Sequence, residues 1–560
     1  MVNFVYLGNN TSLGKDVLYE RLAGKSSGTV AIDVETVGLE DRRLIGIGFS
    51  ISPTDNYYFP WDSPMLPFSI LENPDITKVI HNGHFDLQVI KETWGIDVYP
   101  IVDTLIGAQI LGYPPALGTL SELFFDIYIP SITSIIGKGK DAKTMDQVPL
   151  EVVAFKCCLD VKCSLLLWEK IKGDLPKEAF ALDMKVLPVI MSMEDRGMLI
   201  DQERLDKHIV EISRDVNYYR SVAMNGYGFN PGSGKQLAAI LQSRGYYIHY
   251  KKQTGNPIMN NETIQMLYAD DPLAQLSSMY KKKRVLLSNT LKPIKDKFLG
   301  TDGRVHSRFH QNLVSTGRLS SSKPNSMNLT ESLRDIIIPE EGRVIEDWDL
   351  SQIELRVLAY ISEDSTMMNI FENGGDIHEE TSDFIFGDHE PGHRRTSKDI
   401  NFAIVYGGDA YTLYEKSRVP LDVGETYIER YFQKFPNIRR WIEETRKFAH
   451  DNGYTQTLLG RRRSHADIHS PVGYKSAKAE RELINHPIQG SAAEILKELL
   501  YRLRSEPQIN AMHDSSVMER ELDKLPDYGV LDNLAPFKTP AKVKLGFNWK
   551  DLTEVGSIGT

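Results

Sequence analysis

Asp33 and Glu35 stand two residues apart at the end of the apolar run TVAIDVET, so on a β-strand both carboxylates leave the same face. Acidic pairs at this spacing are common: with 76 acids in 560 residues, chance alone supplies about ten. Two further acids make this pair worth following. Asp86 in HNGHFDLQVI and Asp160 in CCLDVKCSLLL each interrupt an otherwise apolar helical face, where an unpaired charge is costly to bury. Four converging carboxylates repel one another unless cations neutralise them, and hard oxygen ligands select magnesium or manganese. Unrelated surface acids or helix caps would give the same residues, and spacing alone leaves both readings open.

A second group lies in RRTSKDINFAIVYGG, where Arg394, Lys398, Phe402 and Tyr406 follow at steps of four. On an α-helix they form a stripe that rotates about 40° per step and spans about 18 Å. Two cations near the helix start, followed by two rings, suit an extended nucleoside triphosphate: phosphates first, then sugar and base. The competing reading is an amphipathic helix whose Phe402 and Tyr406 pack in a core.

The elements that must position these groups follow from the hydrophobic pattern. TVAIDVET and LIGIGFSI (44–51) read as neighbouring strands, and helical segments follow near 84–94 and 151–171, so the first ~175 residues form an α/β unit. The pattern then turns mostly helical to about residue 300, broken by a Gly/Asn/Pro-rich stretch at 225–234 and carrying the basic run Lys281 to Arg284. RVIEDWDLSQIELRVLAYI returns to strand and then helix, a long helix-rich stretch follows, and NAMHDSSVMER reads as a turn between strands.

Composition sets the class. The chain has 560 residues, 41% hydrophobic and 25% charged, as expected of a soluble protein with several domains. Its net charge of −11 means that any polyanion must be held by local basic patches. Cys157, Cys158 and Cys163 fall on one helical segment, a spacing that suits neither a disulfide framework nor a zinc site and points to a reducing cytoplasm. No apolar run approaches the ~18 residues that span a bilayer, and no secretory signal opens the chain.

The ordered set D-x-E, N-x-x-F-D and D-x-x-x-S resembles the three exonuclease motifs of the DEDD superfamily, in the form found in family A DNA polymerases. R-x-x-x-K-x-x-x-F-x-x-x-Y-G resembles the fingers helix of the same family, with Ala403 where glycine is common. The resemblance runs from Thr29 to about Trp549. It implies a ribonuclease H-like α/β exonuclease domain over 1–175 and an α+β right-hand polymerase domain over 176–560. Within the latter it implies a thumb at about 190–310, a palm at about 311–375 and 480–560, and fingers at about 376–479. By this resemblance Asp33, Glu35, Asp86 and Asp160 hold two metal ions for phosphodiester hydrolysis, and Thr36, Leu39, Asn82 and Phe85 support a single-stranded primer end. The family usually carries a tyrosine four residues before the last aspartate; Lys156 stands there, beside Phe155.

DWDLSQIELR resembles polymerase motif A, which implies Asp349 and the Leu350 carbonyl as metal ligands, Gln352 and Glu354 beside the nucleotide, and Glu354 as the block to a ribose 2′-hydroxyl. Leu350 replaces the usual tyrosine. AMHDSSVME resembles motif C, with His513 as a DNA contact, Asp514 as the second metal carboxylate, and Ser515 in place of the usual glutamate. TGRLSSSKPNSMN implies DNA contacts through Arg318, Asn325 and Asn328, and NHPIQGSAAEILK through Asn485 and Gln489, with Arg481 nearby. His378 is expected at a phosphate together with Arg394 and Lys398. Arg461, Arg462 and Arg463 are either a template-side or a structural patch, and Lys282 and Lys283 are expected on the duplex backbone.

The implied activity is template-directed DNA synthesis from deoxynucleoside triphosphates with 3′–5′ proofreading, using two Mg²⁺ (or Mn²⁺) ions per active site. The implied partners are primer-template DNA and deoxynucleotides, with no membrane, and the expected state is a monomer in the cytoplasm. Phe402 is expected to disfavour dideoxynucleotides. The compact length suggests bacteriophage genome replication in a host cytoplasm, and no 5′ nuclease domain is expected ahead of the exonuclease. Two other classes remain open. A single-subunit RNA polymerase shares the two aspartates and the fingers helix but not Glu354 or the exonuclease, and a nonenzymatic DNA-binding protein with decayed sites would explain Lys156 and Ser515.

Overall fold

The computed structural model describes residues 3–6, 24, 27–39, 41–64, 66–251, 253–311, 313–387, 390–524 and 528–558. They group into two compact units. One holds residues 1–191, 311–319 and 439–501; the other holds 192–310, 320–438 and 502–560.

The first unit is built on a six-stranded sheet of Asn3–Tyr6, Gly28–Thr36, Leu44–Ser52, Asp55–Pro60, Ile76–Ile80 and Ile101–Asp103. In space the order runs first, fourth, third, second, fifth, sixth. Gly28–Thr36 is antiparallel to Leu44–Ser52 and parallel to Ile76–Ile80, which makes it a central strand. The expected strands and helices are present, the helices as His84–Trp94 and Leu150–Ile171.

Strand alternation decides where the chemistry goes. Val30, Ile32 and Val34 bury with Ile47, Phe49 and helix residues Leu87, Val89 and Ile90 on one face. Ala31 packs on the other with Val161 and Leu165 of Leu150–Ile171. Asp33 and Glu35 share the parity of Ala31, so they meet that helix. The long helix Gly473–Arg502 and the hairpin Tyr454–Gln456/Arg462–Ser464 complete this unit.

The second unit carries a five-stranded sheet in the order Gln508–Met512, Ser515–Glu521, Arg343–Leu350, Ala541–Gly546, Thr553–Ile558, every pair antiparallel. Ile345, Ile509, Met512, Val517 and Trp549 bury with Leu291, Ile336 and Ile337 as its core. Helices Gln202–Ser221, Gly234–Ser243 and Pro272–Val285 account for the helical stretch, and the expected break falls at 227–233. An α/β layer followed by an antiparallel sheet with helices is the fold class expected. Among the described residues no helix is long and apolar enough to cross a membrane.

Two candidate active sites

In the first unit Asp33 and Glu35 pair across the strand with Gly48 and Gly46. A Cβ at Gly48 would lie 2.7 Å from Cys157 Sγ, so the missing side chain lets the helix Leu150–Ile171 close on the acidic strand. That helix delivers Lys156 and Asp160 from one face. The Lys156 ammonium donates to Glu35 Oε1 at 2.8 Å and to Asp160 Oδ2 at 2.5 Å, and all three residues are buried. Asp86, in the first turn of His84–Trp94, accepts the Val34 N–H at 2.9 Å, the amide between the two strand acids. The turn before it is held by Asp103, a residue that motif reading missed: its carboxylate accepts the backbone N–H groups of Asn82, Gly83 and Leu105 at 3.0, 2.8 and 2.9 Å. An acid directly before the helical run TLIGAQI was the available signal. Leu39 is exposed and Thr36 buried, while Phe85 lies half-buried beneath the Arg42 guanidinium.

Desolvation, reinforced by Asp86, Asp160 and Glu35, raises the Asp33 carboxyl well above its usual range. Burial likewise raises Glu35, and lifts Asp86 to about 7. Burial opposes the charge of Lys156, but Asp160, Glu35 and Asp33 outweigh it and hold the ammonium well above the ordinary lysine value. Ligand atoms of Asp33, Glu35 and Cys157 lie within 4.8 Å of one another, yet burial pushes the Cys157 thiol up, away from the thiolate that binds metal. The structure therefore brings the four expected acids together but does not present them as an open two-ion site, because a cation of the chain already bridges two of them.

In the second unit Asp349 sits one residue from the end of Arg343–Leu350, directly across from Ser515. His513, with φ 54°, and Asp514 form the two-residue turn that joins Gln508–Met512 to Ser515–Glu521. The Leu350 N–H donates to the Asp514 carbonyl at 3.0 Å, so strand pairing fixes both acids at one end of the sheet. Asp347, also missed from sequence, shares their face. It accepts from Trp549 Nε1 at 3.0 Å, while the Ser515 hydroxyl donates to the Met512 carbonyl at 3.1 Å. Asp349 keeps an open side, yet desolvation by its surroundings and the charges of Asp347 and Asp514 push it to about 6. Crowded carboxylate oxygens of this kind fit a hard divalent cation. Gln352 begins the helix Ile353–Ile361 with φ 53°, and its Oε1 has no hydrogen-bond partner among the described residues; Glu354 is buried in the first turn.

The helix Pro391–Val405 carries Arg394, Lys398 and Phe402, while Tyr406 caps it rather than lying on it; the Tyr406 N–H still reaches the Phe402 carbonyl at 3.0 Å. Ile400, Asn401, Ala403 and Ile404 are buried, whereas Arg394, Lys398 and Tyr406 are exposed and Phe402 half-buried, so the stripe faces outward and the core reading fails. Arg394 is held by Asp376 at 2.5 Å, and Lys398 Nζ lies 5.9 Å from the Phe402 ring centre. His378 is buried, and its Nδ1 accepts from the Asn401 amide at 3.2 Å, which leaves the proton on Nε2. Burial lowers its pKa to about 4, so at neutral pH the ring is a neutral donor, not a cation.

Of the two readings of the basic patch, the structural one holds for Arg461 and Arg463. Arg461 is buried between Asp183 at 2.7 Å and Glu494 at 3.4 Å, and Arg463 pairs with Glu482; Arg462 covers the Tyr454 ring at 5.0 Å. Lys497 adds a second 2.7 Å bond to Asp183. Arg481, Asn485 and Gln489 follow at helical steps of four on Gly473–Arg502, and Arg318 is half-buried in the same unit. In the second unit Asn325, Asn328 and His513 are exposed. Lys282 is exposed too, but Lys283 is tied to Asp215 at 2.8 Å.

The profile of DNA polymerase family A matches residues 202–525, and that of a 3′–5′ exonuclease matches 11–176. DNA polymerase I of Chloroflexus aurantiacus is 31% identical over 512 residues, covering 83% of this chain and 54% of the relative. For DNA polymerase I of Pseudomonas aeruginosa the figures are 27% over 579 residues, 93% and 63%. The thermostable DNA polymerase I of Thermus aquaticus is 32% identical over 412 residues, covering 68% and 49%. This chain thus spans about half to two-thirds of the length of these relatives. The POL domain of Pol1 from M. smegmatis, solved in complex with DNA primer-template and dNTP, shares the fold with a TM-score of 0.82 at 22% identity, covering 97% of this chain and 100% of that one. With more than half its length matched by the polymerase profile and an exonuclease profile ahead of it, the chain belongs to DNA polymerase family A.

Proposed function

We propose that the chain copies a primed DNA template from deoxynucleoside triphosphates and removes nucleotides from a 3′ end. The observation that carries synthesis is the pairing of Asp349 and Asp514 by the 3.0 Å bond between Leu350 N–H and the Asp514 carbonyl. Its sister observation is the outward stripe of Arg394, Lys398, Phe402 and Tyr406. The structural relative solved with primer-template and dNTP supports the substrate class.

In this reading Asp349, Asp514 and the Leu350 carbonyl would hold two magnesium or manganese ions. Bound there, such ions lower the pKa of a primer 3′-hydroxyl and neutralise phosphate charge. The chain's own groups do the rest. Arg394 and Lys398 take the phosphates, His378 donates Nε2–H to them, and the Phe402 and Tyr406 rings carry sugar and base. Glu354 and Gln352 close the sugar side, Glu354 against a 2′-hydroxyl. Arg318, Asn325, Asn328, Arg481, Asn485, Gln489, His513 and Lys282 meet the DNA. The exonuclease is assigned to about 1–175 and the polymerase to 176–560, with thumb, palm and fingers in the order expected from sequence.

The free, buried cysteines agree with work in a reducing cytoplasm, and we take the protein to act as a monomer. The named relatives are bacterial.

Primer extension tests the reading. Extension by the wild type with deoxynucleotides, lost in Asp514→Asn, supports it; extension with ribonucleotides at the same rate would instead favour an RNA polymerase. Digestion of labelled single-stranded DNA by wild type but not by Asp33→Ala supports the second activity. DNA binding without either reaction would mark a decayed enzyme.

A further inference from the structure

We propose that the Lys156 ammonium stands in the exonuclease centre as a built-in cation, in place of one of the two divalent ions that four such acids would otherwise hold. The inference rests on the exonuclease reading above and deepens it.

The geometry is specific. Lys156 Nζ reaches Glu35 Oε1 at 2.8 Å and Asp160 Oδ2 at 2.5 Å, joining a strand acid to a helix acid 125 positions apart in the chain. A magnesium or manganese ion bridging those two acids would need oxygens at about 2.0–2.2 Å, in the space the ammonium fills. The lysine has little room to leave: Lys156 is only 8% exposed, and the helix that bears it packs through Cys157 against Gly48, directly across from Asp33. Helical spacing then holds Asp160 one turn beyond, on the same face.

Charge counting gives the consequence. Four ionised carboxylates with two divalent ions are neutral, whereas the same carboxylates with one ammonium and one divalent ion keep one negative charge. A phosphodiester entering the centre is therefore repelled rather than met by a neutral site. Asp33 and Asp86 remain for the single ion. Lys156 is thus a positioning residue: it fixes Glu35 and Asp160 and limits the centre to one divalent ion, which makes trimming slow relative to synthesis.

The test counts Mn²⁺ ions bound per intact chain by electron paramagnetic resonance, with the palm ions removed by Asp349→Asn and Asp514→Asn. In that background the expected count at the exonuclease centre is one, lost in Asp33→Asn. Replacing Lys156→Met, which keeps volume and drops charge, is expected to raise the count to two and single-strand digestion at least tenfold, and Glu35→Gln is expected to remove the added ion. A count of two with Lys156 intact overturns the proposal, and it needs no lysine variant that might fail to fold. An unchanged count in folded Lys156→Met, judged by its circular dichroism, overturns it as well. Gain of the second ion without any digestion of DNA would leave the proposal standing and sink the exonuclease reading.

Discussion

Asp347 lies two residues before Asp349 on the same face of the palm strand and accepts a hydrogen bond from Trp549 Nε1 at 3.0 Å. Where the resemblance leads one to expect a glutamate at 515, the neighbouring strand supplies a carboxylate at 347 instead. Asp349 is pushed to about 6 by desolvation, then by Asp347 and Asp514. In the proposed role of metal ligand it must be ionised, so below that pH a divalent ion would compete with a proton. The Mg²⁺ concentration giving half-maximal primer extension is expected to rise by up to about tenfold per pH unit below 6. Asp347→Asn keeps the acceptor for Trp549 and removes a charge, so the break should move to lower pH. A Mg²⁺ requirement flat from pH 7 to 5 would contradict this.

In the proposed role of phosphate ligand, Arg394 would have to give up part of its 2.5 Å ion pair with Asp376. Asp376 also caps the helix Ile377–Phe386 by accepting the His378 N–H at 2.8 Å, a role that asparagine preserves. Asp376→Asn is therefore expected to leave folding intact and lower the deoxynucleotide KM by about twofold to fivefold, the value of a partly exposed ion pair of up to ~1 kcal/mol. Steady-state single-nucleotide insertion measures it; an unchanged or raised KM counts against the assignment of Arg394 to phosphate.

Gly48 works by having no side chain. In Gly48→Ala the new Cβ meets Cys157 Sγ at 2.7 Å and Val161 Cγ1 at 3.2 Å, so the helix bearing Lys156 and Asp160 must retreat. Single-strand digestion should fall about tenfold while primer extension holds, and Cys157→Ala in the same chain should recover most of the loss. Equal loss of both activities would point to unfolding rather than to local retreat.

Asp183 is fully buried between Arg461 and Lys497, which outweigh the burial that opposes its charge and hold its pKa below the usual value. Its folded pKa being depressed, the stabilisation is present above about pH 4 and is lost as pH falls through the folded value. Asp183→Ala strands two buried cations and should cost about 3–5 kcal/mol, seen as a fall of roughly 10 °C in the unfolding midpoint at pH 7. A shift under about 2 °C would show that the pair of cations finds water or another partner.

These residues also mark how far the chain could be read before folding. The D-x-E strand, the helices bearing Asp86 and Asp160, and the stripe on the fingers helix follow from periods of two and 3.6, which are local, whereas whether that stripe faces outward or into a core does not. Lys156 could be singled out from its place four residues before Asp160, but its bond to Glu35 needs the packing of helix on strand. Asp347 becomes part of the palm site only through the register that sets Asp349 opposite Ser515. Arg461 looked equally suited to template and to structure, because its partner Asp183 lies 278 residues away. Tyr406 fits the stripe by spacing yet caps the helix, since the chain turns at Gly407 with φ 62°.

The central claim is that Asp349 and Asp514 act together on one nucleotidyl transfer. Single-nucleotide incorporation at saturating Mg²⁺ measures it most directly, comparing wild type with Asp349→Asn, Asp514→Asn and the double variant. Each single change is expected to slow incorporation by about 10²-fold or more, with the double variant little worse than either, as for groups that work as a unit. Incorporation at the wild-type rate in either single variant, or losses that multiply in the double, would contradict it.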